Sequence, residues 1–287
     1  MSRLAGMVAA SGGKEEDYEI EQSLVFDLLE TATYGRGGPR CLKALATTGN
    51  RKIFTFSCWV KRNRLNQVYS YQAQTLFGAG RTDDFGTGEY FDFGFKDGTD
   101  QLRLFANTDN HNTEILLTTR RFLDVDAWYH IVLQIDSTQA TLSNRMRLYV
   151  NGVQETEFDT YALTQNDSFG VNYKSSNTIY HSLGSAPYNI GSGPYPFDGQ
   201  MAEAVLLDGT SKDAAYFGEV HGDTGQWIPK RIGASGFGTN GFHCKFKRDA
   251  LGTDSSSNGN NFTVSGCLLY TSPSPRDRTR SRMPSSA

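Results

Sequence analysis

Three carboxylates, Glu155, Glu157 and Asp159, alternate along one short stretch of the chain. Retaining hydrolysis of a glycosidic bond needs two carboxyl groups about 5 Å apart, which same-face neighbours on a strand supply. This stretch directly follows Asn151-Gly152, a strong hairpin turn after which a polar, solvent-facing strand is the ordinary expectation. It also lacks the Glu-x-Asp-x-x-Glu pattern of glucanases. We therefore expect a non-enzymatic protein with no catalytic residues.

Other reactive residue types do not form recognisable sites. The sequence has no G-x-S-x-G nucleophile elbow, and its five histidines lack a metal-ligand spacing such as H-x-x-x-H. His130 lies in a strand-like run, Trp-Tyr-His-Ile-Val, and is expected to be a sheet residue. The four cysteines show no C-x-x-C and match no zinc motif, so we expect reduced structural thiols, with a Cys58–Cys244 bridge as an open alternative.

Two kinds of binding site are conceivable in loops. Hard oxygen ligands that would suit a Ca²⁺ cofactor are available at Asp83, Asp84, Asp109 and Asn110. Carbohydrate contacts are predicted in the segment 187–196, at Tyr188, Asn189 and Tyr195. Tyrosine rings offer flat apolar faces to sugar C–H groups while the hydroxyl stays in water. The competing interpretations are that the acidic residues form turns and that the tyrosines cover a sheet edge.

Composition narrows the class of protein. The chain has 287 residues, of which 38% are hydrophobic, enough to bury a core, and 30 are glycine, which suits frequent turns. A net charge of -3 gives no general attraction to nucleic acid, and no apolar run is long enough to span a bilayer.

Runs rich in aromatic and β-branched residues recur every 8–15 residues without helical patterns between them. The predicted strands are 53–60, 74–79, 90–95, 101–105, 114–118, 128–135, 144–150, 179–183, 188–191 and 199–208, with an edge strand at 23–27. Asp97-Gly98 and Asn151-Gly152 are hairpin turns, and residues 211–219 are the one predicted helix, capped by Ser211. Trp59 and Trp128 are expected in the core. This pattern predicts an all-β antiparallel jelly-roll sandwich.

Several stretches together resemble the laminin-G-like, concanavalin A-like lectin/glucanase module of phage structural proteins. The stretches that carry the resemblance are 48–52, 54–62, 127–132, 144–153, 197–203, 240–243 and 251–262, with 18–24 similar to the family's lead-in. Residues 28–46 do not look like the family's first strand pair. The resemblance implies a virion or tail-associated protein that touches host-surface glycans and other virion proteins.

The predicted domain organisation has four parts. Residues 1–22 form a flexible lead-in, 23–235 the jelly roll, and 236–266 a Gly/Ser/Asn-rich linker to a further module. Residues 267–287 resemble a translated sequencing adapter, from Cys267-Leu-Leu-Tyr-Thr to Met283-Pro-Ser-Ser-Ala287. This tail is expected to be disordered and artefactual, so that the native C-terminus would be missing.

The sequence therefore predicts a non-enzymatic, tail-associated virion module, made in the host cytoplasm, that binds host-surface carbohydrate. Two alternatives stay open: a polysaccharide depolymerase fragment, and a ligand-free decoration domain. A homo-oligomer is an open partner prediction, whereas nucleic acid and membrane insertion are not expected.

Overall fold

The computed structural model describes residues 18–27, 39–65, 73–81, 90–187, 196–266 and 268–271. Eighteen strands lie in these ranges: β1 Ser23–Phe26, β2 Arg40–Ala44, β3 Ile53–Arg62, β4 Ala73–Gly80, β5 Phe91–Lys96, β6 Gln101–Asn107, β7 Asn112–Arg121, β8 Tyr129–Asp136, β9 Met146–Val150, β10 Val153–Gln154, β11 Phe158–Tyr161, β12 Tyr180–Leu183, β13 Gly199–Asp208, β14 Gly218–Val220, β15 Trp227–Pro229, β16 Phe242–Cys244, β17 Thr263–Ser265 and β18 Leu268–Thr271.

Two eight-stranded antiparallel sheets form the sandwich. Sheet A has the order β10-β9-β8-β3-β13-β1-β18, with β16 also paired to β13. Sheet B has the order β11-β7-β6-β5-β4-β12-β2-β17, and β14 and β15 form a separate hairpin. The predicted all-β antiparallel jelly-roll sandwich is confirmed.

Alternation along the strands decides which side chains enter the core. In β9, Met146, Leu148 and Val150 are buried while the residues between them are only partly covered, as the sequence pattern predicts. The next two residues, Asn151 and Gly152, have φ of 50° and 82°. Positive φ at both central positions is what a two-residue hairpin turn of matching twist requires, and β10 indeed returns against β9.

Aromatic rings fill the space between the two sheets. Phe56 of β3 stacks on Phe77 of β4 with centroids 4.7 Å apart, which joins sheet A to sheet B. Phe54 meets Phe91 and Phe169 edge-on at 5.8 and 5.4 Å. Such pairs contribute about 0.5–1.5 kcal/mol beyond the area they bury. The aromatic content of the sequence is therefore used mainly to bind the two sheets together.

The outer face of sheet A is covered as well. Trp59 is 5% exposed and is buried as predicted, but it packs with Ile20 and Ala202 in a hydrophobic cluster separate from the one between the two sheets. Trp128 is partly buried against the same cluster. The cause is the strand register, because Cys58 and Val60 face inward and Trp59 must face outward. The hairpin β14–β15 then covers this face through Trp227.

Residues 236–266 differ from the linker that their composition suggests. Strand β16 pairs with β13, β17 pairs with β2, and Phe242, Cys244 and Phe262 lie in the main core. The polar residues that suggested flexibility instead satisfy main-chain groups: Asn258 Nδ2 donates to the carbonyl oxygens of Gly238 and Gly241 at 2.6 and 3.0 Å. Small polar side chains form such local bonds readily, so this composition fits an ordered loop as well as a linker.

The side-chain oxygens of Asp254 organise the same loop. Its Oδ1 accepts from the amides of His243 and Ser256, both at 2.8 Å, and its Oδ2 accepts from the amide of Asn260 at 2.8 Å. One carboxylate thereby joins β16 to the Ser/Asn-rich turn that precedes β17.

The segments at both ends of the described chain also pair or dock. Ile20, in the predicted flexible lead-in, is 2% exposed, and β1 pairs with β13. Residues 268–271, predicted to be disordered, form β18 beside β1. Residues 1–17, 28–38, 267 and 272–287 lie outside the described residues, so the adapter origin of the tail and the division into domains stay predictions.

Helical structure is sparse within the described ranges. The predicted helix at 211–219 is a short 3-10 helix, Ala214–Tyr216, capped by Asp213 rather than Ser211, because the Asp213 carboxylate accepts from the Ala215 amide at 3.1 Å. A single α-helical turn, α1 Leu142–Arg145, precedes β9. None of the described helices has the length and apolar content needed to cross a membrane.

Candidate functional site

A group of charged side chains lies on the outer face of sheet B. In β5 the three phenylalanines at 91, 93 and 95 point into the core, so Asp92 points away from it. Asp92 lies opposite Phe105 of β6, which in turn lies opposite Glu114 of β7. Arg103 precedes Phe105 by two residues and shares its face. The charged cluster is defined here as Asp92, Lys96, Arg103 and Glu114.

Ion pairs connect the members of the charged cluster across three strands. Arg103 Nη2 lies 3.6 Å from Asp92 Oδ2, and Arg103 Nε lies 3.4 Å from Glu114 Oε2. Lys96 Nζ lies 3.1 Å from the same Glu114 oxygen. Thr75 of β4 donates its hydroxyl hydrogen to Asp92 Oδ1 at 2.6 Å. Each charge is therefore held by a neighbour of opposite sign or by a hydrogen bond.

Burial divides the charged cluster into a support and an accessible rim. The side chains of Asp92 and Arg103 are 0% and 3% exposed, whereas those of Glu114 and Lys96 are 20% and 34% exposed. Burial raises the pKa of Asp92, while Arg103 and the Thr75 hydroxyl act in the opposite direction. Burial likewise raises the pKa of Asp97, in the following turn, to about 7. Of these four described side chains, only Glu114 and Lys96 can reach an external ligand without rearrangement.

An aromatic surface adjoins the rim. Phe105 is partly exposed, and the Arg103 guanidinium carbon lies 5.2 Å from the centroid of the Phe105 ring. Tyr90 meets the Phe105 ring edge-on at 5.9 Å. Acceptor, donor and aromatic groups thus lie together, and hydroxylated ligands with apolar faces use all three.

The segment that leads into the predicted carbohydrate loop crosses this same face. A Cβ placed on Gly78 of β4 would lie 2.7 Å from Pro187 Cδ and 2.8 Å from Ser182 Oγ, so the close approach requires glycine. Gly78 is the residue opposite Asp92. The predicted contact residues Tyr188, Asn189 and Tyr195 follow Pro187 but lie outside the described residues, so they stay predictions.

The predicted calcium ligands are also only partly described. Asp83 and Asp84 lie outside the described residues. In the loop between β6 and β7, Asp109 is exposed and the Asn110 amide donates to Asp167. Within the described ranges no three His, Cys, Asp or Glu side chains are grouped as a metal site. The calcium prediction at Asp83, Asp84, Asp109 and Asn110 therefore stays a prediction.

The alternating acidic stretch is tied to its neighbours. Glu155 pairs with Arg120 at 2.7 Å, and Asp159 accepts from Thr119 and Gln101 at 2.8 and 2.6 Å. These hydrogen bonds, with Thr119 first, lower the pKa of Asp159. A carboxylate held in its ionised form in this way is poorly suited to act as a general acid.

His130 is a sheet residue, as predicted, but its surroundings are unusual. Its ring stacks between Trp59 and Trp227, with centroids 4.8 and 6.0 Å away. The Trp227 indole N–H donates to Nδ1 at 3.0 Å, and Nε2 lies 2.9 Å from Ser57 Oγ. Because the indole nitrogen can only donate, Nδ1 must be unprotonated, and the neutral ring donates from Nε2. Burial lowers the pKa of His130 to about 3.

The sequence analysis did not predict the charged cluster, although the alternation of its charged residues with core residues is visible in the sequence. In Phe91-Asp-Phe-Gly-Phe95 and Leu102-Arg-Leu104, charged residues alternate with core residues, which places them on the outer face. What the sequence does not show is that β5, β6 and β7 are adjacent in the register that brings these charges together.

Comparison with known proteins identifies the class. The profile described as "Concanavalin A-like lectin/glucanases superfamily" (Laminin_G_3) matches residues 40–214, which is more than half of the chain. The chain therefore belongs to the laminin-G-like family of the concanavalin A-like lectin/glucanase superfamily. No curated protein matches it.

Several solved structures are similar in fold. The Ruminococcus gnavus IT-sialidase CBM40 bound to alpha2,3 sialyllactose is 14% identical, with 64% of this chain and 91% of that chain covered and a TM-score of 0.40. Domains LG4-5 of the mouse laminin alpha1 chain are 12% identical, covering 75% and 48%, with a TM-score of 0.37. The enzymatically active domain of bacteriophage CBA120 tailspike protein 2 is 9% identical, covering 70% and 30%, with a TM-score of 0.36.

Proposed function

We propose that this chain is a carbohydrate-binding module and that the rim of the charged cluster contacts the glycan. The observation that carries the proposal is the position of Glu114, Lys96 and Phe105 together on the outer face of sheet B. Membership in a superfamily of lectins and glucanases supports the class of ligand.

The two rim residues and the adjoining Phe105 have distinct roles in the proposal. Glu114 accepts hydrogen bonds from sugar hydroxyls, Lys96 donates to ring or hydroxyl oxygens, and the Phe105 ring packs against sugar C–H groups. Asp92 is a positioning residue: it holds Arg103, and Arg103 holds Glu114 in place. Preorganisation of this kind reduces the entropy lost on binding.

The proposal is tested by screening the full chain against an array of bacterial surface polysaccharides and measuring the affinity of the best ligand by calorimetry. Glu114→Gln and Phe105→Ala should each weaken binding about tenfold or more. The first removes a charged hydrogen bond of about 1.5–3 kcal/mol, and the second removes apolar burial of about the same size. Binding that both variants retain at full affinity would refute this location of the site.

The chain offers a matched control for Glu114. Glu219 of β14 is also an exposed glutamate with a lysine neighbour, Lys230 at 4.0 Å, but it lies on the hairpin that covers sheet A. Glu219→Gln should leave glycan affinity unchanged. Equal losses in the two variants would indicate a general charge effect instead of a site.

A polysaccharide depolymerase is the alternative, and two observations favour it. The carboxylates of Asp92 and Glu114 both lie against Arg103, and burial raises the pKa of Asp92. Binding is preferred because Asp92 is fully buried and cannot touch a substrate as it stands. Release of reducing ends by the wild type, lost in Asp92→Asn, would establish the enzyme instead.

We further propose that the module belongs to a phage particle as a tail-associated component that contacts other virion proteins. The support is the set of sequence stretches that resemble phage structural proteins, which include 54–62, 144–153 and 197–203. Mass spectrometry of purified particles from the source sample is the test, and detection of the chain only in unassembled fractions would refute the virion assignment.

A further inference from the structure

The outer face of sheet A carries a polar and aromatic arrangement around Tyr18. The Tyr18 hydroxyl donates to Glu203 Oε1 at 2.9 Å and accepts from Lys245 Nζ at 3.1 Å. The Arg231 guanidinium lies 4.9 Å from the ring centroid, and Lys245 Nζ lies 5.3 Å from it. The ring is therefore bordered by two cations and its hydroxyl is fully engaged.

Glu203, the acceptor for Tyr18, has a backbone conformation that is costly for a residue with a side chain. Its φ is 48°, and it lies where the register of β13 against β3 shifts between Ala202 and Val205. A bulge of this kind redirects a side chain out of the regular alternation. The carboxylate, which also bonds to His243 Nε2, is thereby aimed at the lead-in. Such strain persists only where surrounding contacts impose it.

The contact continues along the lead-in with a period of two residues. Ile20 is buried against Trp59 and Ala202, and Gln22 Oε1 accepts from the Arg248 amide at 2.6 Å. Glu19 and Glu21, between these positions, are exposed. Residues 18, 20 and 22 thus face the protein in the manner of an extended peptide bound in a groove.

This docking is not needed to place β1. Strand β1 is already held by main-chain pairing to β13 at Leu24, Val25 and Phe26, and all four of its side chains are buried. The contacts of Tyr18, Ile20 and Gln22 add a second attachment farther along the chain. Their effect is to hold residues 18–22 against sheet A.

We propose that the surface formed by Glu203, His243, Lys245, Arg231 and Trp59 is an anchoring site for the lead-in Tyr18–Gln22. The site holds the lead-in against the outer face of sheet A. The charged cluster lies on the outer face of sheet B, on the opposite side of the core. In so far as the proposed carbohydrate function holds, the anchor keeps the lead-in on the side of the sandwich opposite the glycan-binding face.

The test uses the full chain and the glutamate-specific protease Glu-C. Cleavage after Glu19 and Glu21 requires the lead-in to detach, because a protease binds an extended and freed segment. Tyr18→Phe removes the hydroxyl that serves Glu203 and Lys245, and it should raise the rate of cleavage at these two bonds about tenfold or more. Glu203→Gln should act in the same direction. Mass spectrometry identifies the bonds cut, and circular dichroism confirms that each variant is folded.

Tyr180→Phe, at a partly buried tyrosine of β12 in sheet B, is the matched control and should leave the rate unchanged. If Glu-C cleaves Tyr18→Phe after Glu19 and Glu21 no faster than it cleaves the wild type, the anchor is overturned. Ile20→Ala gives a second opening variant that does not involve charge. Glycan affinity in free solution should be the same in wild type and Tyr18→Phe. The cleavage assay uses no glycan, so it tests the anchor even if the carbohydrate proposal is refuted.

Discussion

Acid sensitivity of the fold should be governed in part by two histidines that are buried in the neutral form. His130 lies between Trp59 and Trp227, and His181 lies in β12 against Phe77. Burial lowers the pKa of each ring to about 3, with the charge of Lys43 as a second cause for His181. In the unfolded chain a histidine has a pKa of about 6.5. Below that pH the unfolded state therefore binds a proton at each ring that the native state does not bind.

The sign and size of the effect follow from that difference. Each ring contributes stability that is fully present above about pH 6.5 and is lost as the pH falls toward about 3. One bound proton corresponds to about 1.4 kcal/mol per pH unit, so lowering the pH from 7 to 5 should cost about 2 kcal/mol for each histidine. That loss is a large part of the 5–15 kcal/mol that is typical of a whole domain.

His130→Gln isolates the contribution of one ring. Urea unfolding of wild type and variant between pH 5 and 7 should show that the free energy of unfolding falls about 2 kcal/mol less in the variant over this range. Val132→Ala, on the same face of β8, is the control: it removes buried methyl groups and should lower stability equally at both pH values. Parallel pH dependences in wild type and His130→Gln would refute the neutral, buried ring.

Two further predictions concern the support of the fold. Arg62→Met should lower the free energy of unfolding by about 3–5 kcal/mol in a urea titration, because it removes the cation that lies 2.7 Å from the buried Asp100 carboxylate. Arg120→Met, at the exposed pair with Glu155, should cost less than about 1 kcal/mol in the same titration. Asn258→Ala should cost about 1–2 kcal/mol through two lost hydrogen bonds, as measured by thermal unfolding, whereas a true linker residue would show no cost.

The sequence by itself determined the fold class, most strands and several turns. Alternation in 144–150 and the pair Asn151-Gly152 are local features, since side-chain direction and turn conformation depend on residues adjacent in the chain. Local composition did not predict the ordered structure of residues 236–266. Asn and Ser side chains occur both in flexible linkers and in loops where they hydrogen-bond to main-chain groups. Only the presence of β13 and β2 beside that stretch decides between the two.

The candidate sites depended on the tertiary structure for a related reason. Asp92, Arg103 and Glu114 are far enough apart in sequence that their meeting requires the register of β5, β6 and β7. Tyr18 and Glu203 are separated by 185 residues and meet only because β1 and β13 are paired. Local sequence thus determined which side chains face outward, whereas strand pairing between distant segments decided which of them are neighbours.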